Sequence, residues 1–321
     1  MKVDIILPVY NPSQWAFEAI DSIQAQTHRN WNLFIIDDHT PQFGEVLKKI
    51  RETAGKSEKI KFIRLERNIK PAGVRNRGVA SGNGDLVAFI DQDDKWNSRK
   101  LEMSAAYLKS HPEIHLVHSD VEAINERGEV IENLYEKENK VRAGIPYAYL
   151  SPRELVKELA GHYSLRLGTV VVRREAFEAV EGFDEDEQIF GGEDIFFAVK
   201  FAAKNKIGHL PEKLTFRRLH LENLSKNRER LMGKMVANRR MREQFPFTKS
   251  VLKKKYKRAL REASLFKLES GEQKQALRLS RELIHEDPLS LAAYCFYLIS
   301  VICFNPKMVH FIKLQKKRID V

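Results

Sequence analysis

Four consecutive residues, Asp91-Gln92-Asp93-Asp94, follow directly on the apolar run Leu86-Val87-Ala88-Phe89-Ile90. Such a run reads as a buried strand, which places the acids at its exit. Three carboxylates there must face solvent, a cation or a positively charged group, because burial without a partner costs several kcal/mol. Asp91 and Asp93, at i and i+2, can turn oxygens toward one hard divalent cation, the kind of ion that bridges protein carboxylates to the phosphates of a nucleotide. Helix capping and turn formation are the commoner explanation of an isolated Asp-x-Asp, so the surrounding groups decide its meaning.

Those groups carry matching chemistry. Asp37-Asp38 closes an earlier apolar run and can accept a hydrogen bond from a nucleobase imide. Pro8-Val9-Tyr10-Asn11 can set an aromatic ring beside a base. Ala72-Gly73-Val74-Arg75-Asn76 opens a helix, where backbone N–H groups and Arg75 can meet anionic or carbonyl groups. A surface salt bridge is the alternative use of Arg75. Far along the chain, Glu193 and Asp194 follow two glycines at a helix start, near the positive end of its dipole.

The elements that must position these groups follow from the hydrophobic pattern. Short β-branched runs at 3–9, 33–37, 60–64 and 86–90 predict strands. Helical patterns at 13–26, 42–54, 71–81 and 99–110 alternate with them, which specifies a parallel sheet with crossover helices. The carboxyl ends of such strands line one edge, where ligands bind. Three consecutive strand exits there are acidic or aromatic. Beyond Asp94 the alternation breaks down. Strands are expected at 114–121, 169–173 and 214–219, a turn at 125–128, and a helix at 193–205. Ser151-Pro152-Arg153-Glu154 reads as a capping box opening a further helix.

Net charge is +11, and its location matters more than its size. Residues 226–321 carry 23 Lys+Arg against 9 Asp+Glu, leaving 32 against 35 for residues 1–225. The expected organisation is therefore a near-neutral catalytic body, 1–225, with a helical basic extension, 226–321. Cys295 and Cys303 imply no disulfide framework and suit a reducing compartment. Asp4 and Pro8 interrupt the first apolar stretch, which reads as a strand rather than a signal sequence. The uncharged segment 289–304 would measure about 24 Å as a helix, short of a bilayer span. Basic flanks at 253–258 and 313–318 suit attachment to an anionic membrane surface. A helix packed on the catalytic body with a solvated basic face is the alternative. Nucleic acid is disfavoured, since no recognition motif accompanies the charge. The expected location is the cytoplasm, peripheral on the inner face of the cell membrane.

In seven ordered blocks the chain resembles the family 2 glycosyltransferases. These are Pro8-Val9-Tyr10-Asn11, residues 22–27, Asp37-Asp38, residues 72–78, residues 89–96, Gly182-Phe183-Asp184 with Gly192-Glu193-Asp194, and residues 218–225. The resemblance implies the GT-A fold, an α/β architecture with a Rossmann-like, mostly parallel central sheet and flanking helices. It implies a donor site for a nucleotide-sugar, usually UDP-linked, built on Pro8, Tyr10, Asp38, Arg75, Asp91 and Gln92. It implies Mg2+ or Mn2+ near Asp91 and Asp93, with Asp94 and His220 as further ligands. Asp194, with Glu193 as rival, would be the base that deprotonates a hydroxyl of a glycan or lipid-linked acceptor in an inverting transfer, as in polysaccharide or lipopolysaccharide biosynthesis. Against the family pattern, His39 replaces a glycine, Ser98 a proline and Phe196 an acid. Nucleotidyl transfer also uses acids with metal but expects a Gly-rich basic signature near the first strand, which is absent. A non-catalytic basic module, with the acids as mere turns, is the third reading.

Overall fold

A computed structural model describes residues 1–42, 44–131, 147–162, 165–220 and 230–302. The predicted loop motif at 221–225, Cys303 and the basic cluster 313–318 lie outside the described residues. The chain divides into two units, one formed by 1–186 with 193–223, the other by 187–192 with 224–321.

In the first unit the β-branched runs form β1 (Val3–Val9), β2 (Trp31–Asp37), β3 (Ile60–Arg64) and β4 (Leu86–Phe89). All pair in parallel, in the order β3-β2-β1-β4. Helices α1 (Trp15–Gln24), α2 (Glu45–Ala54) and α3 (Lys70–Ala80) are the crossovers. The uninterrupted apolar character of the strands is explained by burial on both faces: Ile5, Leu7, Leu33, Ile35, Ala88 and Ile90 pack with Ile20 and Ile23 of α1.

The remainder of the sheet is mixed. β6 (Leu116–Ile124), β7 (Val170–Arg173) and β8 (Ile207–Arg218) extend it, with β7 antiparallel to both β4 and β6, while β8 runs parallel to β6. A two-residue edge strand, β5 (Lys95–Trp96), pairs with the end of β8. Sequence pattern placed only the second half of β8, because Pro211-Glu212-Lys213 imitates a turn. The register shifts at Asp120 absorb that irregular stretch. Helices α4 (Lys100–Ser110), α5 (Pro152–Gly161), α6 (Arg174–Ala179) and α7 (Glu193–Ala202) complete the unit. Ser151 and Glu154 form the expected reciprocal cap on α5.

The acid inside the first strand has a structural partner. Asp4 is fully buried and accepts hydrogen bonds from the Gly84 N–H at 2.6 Å, Arg174 Nη2 at 2.7 Å and Asn32 Nδ2 at 3.2 Å. It fastens the amino-terminal edge of the sheet, opposite the strand exits.

The second unit consists of antiparallel helices α8 (Arg230–Gln244), α9 (Lys249–Glu269), α10 (Gln273–Glu286) and α11 (Leu291–Ile302). Leu252, Tyr256, Leu260 and Ala263 of α9 are buried, as are Ala276, Leu279 and Leu283 of α10. Segment 187–192 belongs here because α8 approaches it closely. A Cβ on Gly233 would lie 1.9 Å from the Phe190 carbonyl oxygen. Among the described residues no helix is long and apolar enough to cross a membrane.

One core residue of the first unit titrates unusually. Lys100 is fully buried, donating to the Thr169 carbonyl at 2.8 Å with its ammonium over the Trp96 ring, and desolvation lowers its pKa to about 7. Between pH 7 and its ordinary value the unfolded chain holds the extra proton, so this group makes stability rise with pH across that window. Lys100→Met is expected to abolish that component. The stability difference between native protein and variant should shift in favour of the native protein by up to about 1.4 kcal/mol per pH unit, read from denaturation midpoints at pH 7 to 9.

Candidate active site

Parallel pairing brings the exits of β1, β2 and β4 side by side, and with them the three polar motifs. At the β1 exit, Pro8 lies within the strand, in register with Ile36 of β2. Tyr10 is 42 % exposed. Gln92 clamps this exit to that of β4: its Oε1 accepts the Tyr10 N–H at 3.0 Å and its Nε2 donates to the Tyr10 carbonyl at 3.1 Å. Both ends of the Gln92 amide are thereby used on backbone.

The two acids after β2 differ in task. Asp37 is structural: it accepts from the Thr40 N–H and hydroxyl and pairs with Arg64 at 2.7 Å. Asp38 accepts the Ile69 N–H at 2.7 Å, and its carboxyl pKa is raised, first by burial, against the lowering pull of that bond and of Lys70. Its backbone N–H donates to the Val9 carbonyl at 2.9 Å, which ties it to the β1 exit.

Arg75, in the first turns of α3, joins Asp91 at the β4 exit to the distant pair on α7. Its Nη2 donates to Asp91 at 3.0 Å and its Nη1 lies 3.8 Å from Glu193. The guanidinium is almost wholly buried, 5.7 Å over the Phe183 ring, and its Nε and Nη1 have no hydrogen-bond partner. Desolvation works against its charge, yet the summed fields of Asp91, Asp194 and Glu193 hold its pKa above the ordinary value. Glu193 is buried at 1 % exposure, whereas Asp194 is partly exposed and Asp91 about half exposed.

The other two acids of the turn have partners of their own. Asp93 pairs with His220 Nε2 at 2.8 Å, and its pKa is raised by burial and by the Asp91 charge, against His220. His220 packs 4.6 Å from the ring of Trp15 on α1. Asp94 is buried and accepts the Arg218 backbone N–H at 3.0 Å; burial, then Asp93 and Asp91, push its pKa well above the carboxylate range. Arg218 is itself fully buried and donates to the carbonyls of Asp93, Asn125 and Glu126 and to the Glu18 carboxylate at 2.8 Å. Sequence reasoning missed the roles of Arg218 and Trp15, since their partners sit on four separate segments and leave no local signal.

Among the described residues no group of three or more His, Cys, Asp or Glu side chains is arranged as a metal centre. Asp91 and Asp93 are close enough for one charge to raise the other's pKa. Two hard oxygen donors of this kind fit Mg2+ or Mn2+ that takes its remaining ligands from substrate phosphates and water.

Residues 4–178, more than half of the chain, match the family model described as Glycosyl transferase family 2. The chain belongs to this family. An uncharacterized glycosyltransferase of Rickettsia felis is 29 % identical over 214 residues, 67 % of this chain and 32 % of that protein. The chain thus spans about a third of the length of that relative. The amylovoran biosynthesis glycosyltransferase AmsB of Erwinia amylovora is 25 % identical over 192 residues, 58 % of this chain and 59 % of AmsB. Among solved structures, S. aureus TarS 1–349 in complex with UDP-GlcNAc has the same fold, with a TM-score of 0.65 at 17 % identity, covering 98 % of this chain and 92 % of TarS 1–349. The expected family and α/β fold class are borne out.

Removing the central cation should expose the interdependence of these acids. Arg75→Met removes the buried positive charge beside Asp91 and Glu193 and is expected to cost about 3 kcal/mol of stability at pH 8. The cost should shrink toward pH 5 as the carboxyls take up protons, which chemical denaturation at the two pH values will read.

Proposed function

We propose that this chain is an inverting, metal-dependent glycosyltransferase that moves a sugar from a UDP-linked donor to a hydroxyl of a glycan or lipid-linked acceptor. The observation that carries the reading is the Arg75 bridge. It places Asp91, at the exit of β4, and Glu193-Asp194, at the start of α7, around one guanidinium. A donor-binding acid and a catalytic acid on separate elements need such common ground.

In this reading Tyr10 lies beside the base and Asp38 accepts from its imide. Asp91 and Asp93, with His220 beside Asp93, are the residues that would hold Mg2+ or Mn2+, which when bound would neutralise charge on the departing diphosphate. Glu193, buried against Arg75, holds the bridge, and the more exposed Asp194 is the base. Asp194 lies within the field of the buried Arg75 guanidinium, and its carboxylate is the group offered to the acceptor's proton. Asp194 takes the acceptor hydroxyl's proton while that oxygen bonds to the anomeric carbon from the side opposite the nucleotide. The bond from carbon to diphosphate oxygen breaks, the nucleotide leaves with the electron pair, and configuration inverts.

The test is UDP release from a UDP-sugar panel with Mn2+. Asp194→Asn is expected to lower turnover by about 100-fold or more while donor binding survives, whereas Asp93→Ala should weaken donor binding itself. Release of pyrophosphate, or UDP release indifferent to both changes, would overturn the reading.

Peripheral membrane attachment is supported by a second surface. Lys274, Arg278, Arg281 and His285 share one exposed face of α10, and Leu291, Tyr294, Leu298 and Val301 share one exposed face of α11. Cations beside an apolar stripe suit an anionic bilayer. Flotation with anionic vesicles should carry the protein upward and fail for Leu291→Glu/Leu298→Glu; equal flotation of both would remove the apolar stripe from the account.

A further inference from the structure

The second unit holds a cavity of about 390 Å3 lined by Arg242, Lys249, Ser250, Lys253, His285 and Glu286. Its charge is unbalanced. Glu286 is the single acid, and one of its oxygens is already held by Arg242 Nη2 at 2.7 Å. Among the described residues neither lysine nor His285 meets a carboxylate within 4.0 Å. Arg242 is fixed rather than adaptable: its guanidinium lies 4.3 Å over the Tyr256 ring, and its Nε is buried with no hydrogen-bond partner.

Helix α9 adds to the imbalance. Its first turn contains no acid, and Thr248 ahead of it spends its hydroxyl on the carbonyls of Met241 and Phe245 instead of capping. Lys249 therefore stands at the positive end of a 21-residue helix, where a cation is disfavoured unless an anion accompanies it, and Lys253 follows one turn later on the same face.

We propose that this cavity binds a phosphate-bearing group, a phosphomonoester or diphosphate, through Arg242, Lys249 and Lys253. A carboxylate, with a single charge, would leave most of the excess uncompensated, whereas a multiply charged phosphate group matches it. The volume accommodates a diphosphate with part of its carrier. This site is made wholly from the second unit and is independent of the donor site at Asp91, so it stands or falls apart from the glycosyltransferase reading.

Titration calorimetry of the full chain with inorganic pyrophosphate in EDTA tests it. Binding is expected to be retained by Asp91→Asn, which excludes the donor site. It should weaken by about tenfold or more in Lys249→Glu/Lys253→Glu, two exposed positions whose exchange leaves UDP release unchanged. No binding at about 10 mM pyrophosphate, or binding indifferent to the lysine changes, overturns the proposal. Vesicles separate the two sources of such a group. Retention on phosphatidic acid but not phosphatidylcholine, lost in the lysine variant, identifies a lipid headgroup. Pyrophosphate binding without lysine-dependent retention identifies a soluble phosphate ester.

Discussion

A buried guanidinium surrounded by three carboxylates is the constraint on which the active-site geometry depends. Asp91 and the Glu193-Asp194 pair come from elements a hundred residues apart in the chain, and without a cation between them their mutual repulsion would drive them apart. Arg75 suits this position better than lysine would, because its planar fork reaches two partners at once and keeps its charge when desolvated. Desolvation is costly, and the three negative fields outweigh it. The Phe183 ring under the guanidinium supplies a further favourable contact without competing for its hydrogen bonds.

A second arginine fixes the acidic turn from behind. The Arg218 side chain reaches the Asp93 carbonyl, the 125–126 turn and Glu18 of α1, and its backbone N–H donates to the Asp94 carboxylate, so three segments of the first unit converge on one residue. In front, the Gln92 amide locks the same turn to the β1 exit. Between these clamps the turn that carries Asp91 and Asp93 is tied to its surroundings from both sides. Asp94 serves this scaffold through the Arg218 N–H. Its burial, and the raised pKa that follows, are the consequences of that role.

The basic second unit follows a different logic from the first. In the first, the arginines around the candidate site, Arg75 and Arg218, are buried and matched by carboxylates; in the second the positive charge is in excess, along α10 and around the cavity at the start of α9. Exposed excess charge favours polyanionic partners and contributes little to folding. The helices are held together instead by apolar packing and by the chain of buried hydroxyls from Ser264 through Ser280 to Ser300, at 2.8 and 3.0 Å.

Local pattern alone determined the four parallel strands, their crossover helices, the capping box at Ser151 and the acids at the strand exits, because period, burial and turn chemistry are written in neighbouring residues. The family blocks added the resemblance that the match over residues 4–178 bears out. Tertiary structure decided the rest. The first half of β8 was masked by Pro211-Glu212-Lys213 and is set by pairing with β6. Gln92, read as a ligand contact, is spent on the Tyr10 backbone, and Asp94, read as a cation ligand, accepts from Arg218. The meeting of Arg75 with both Asp91 and Glu193 could not be read from spacing, since electrostatic partners so far apart in the chain are chosen by the fold that brings them within a few ångströms, not by their neighbours in sequence.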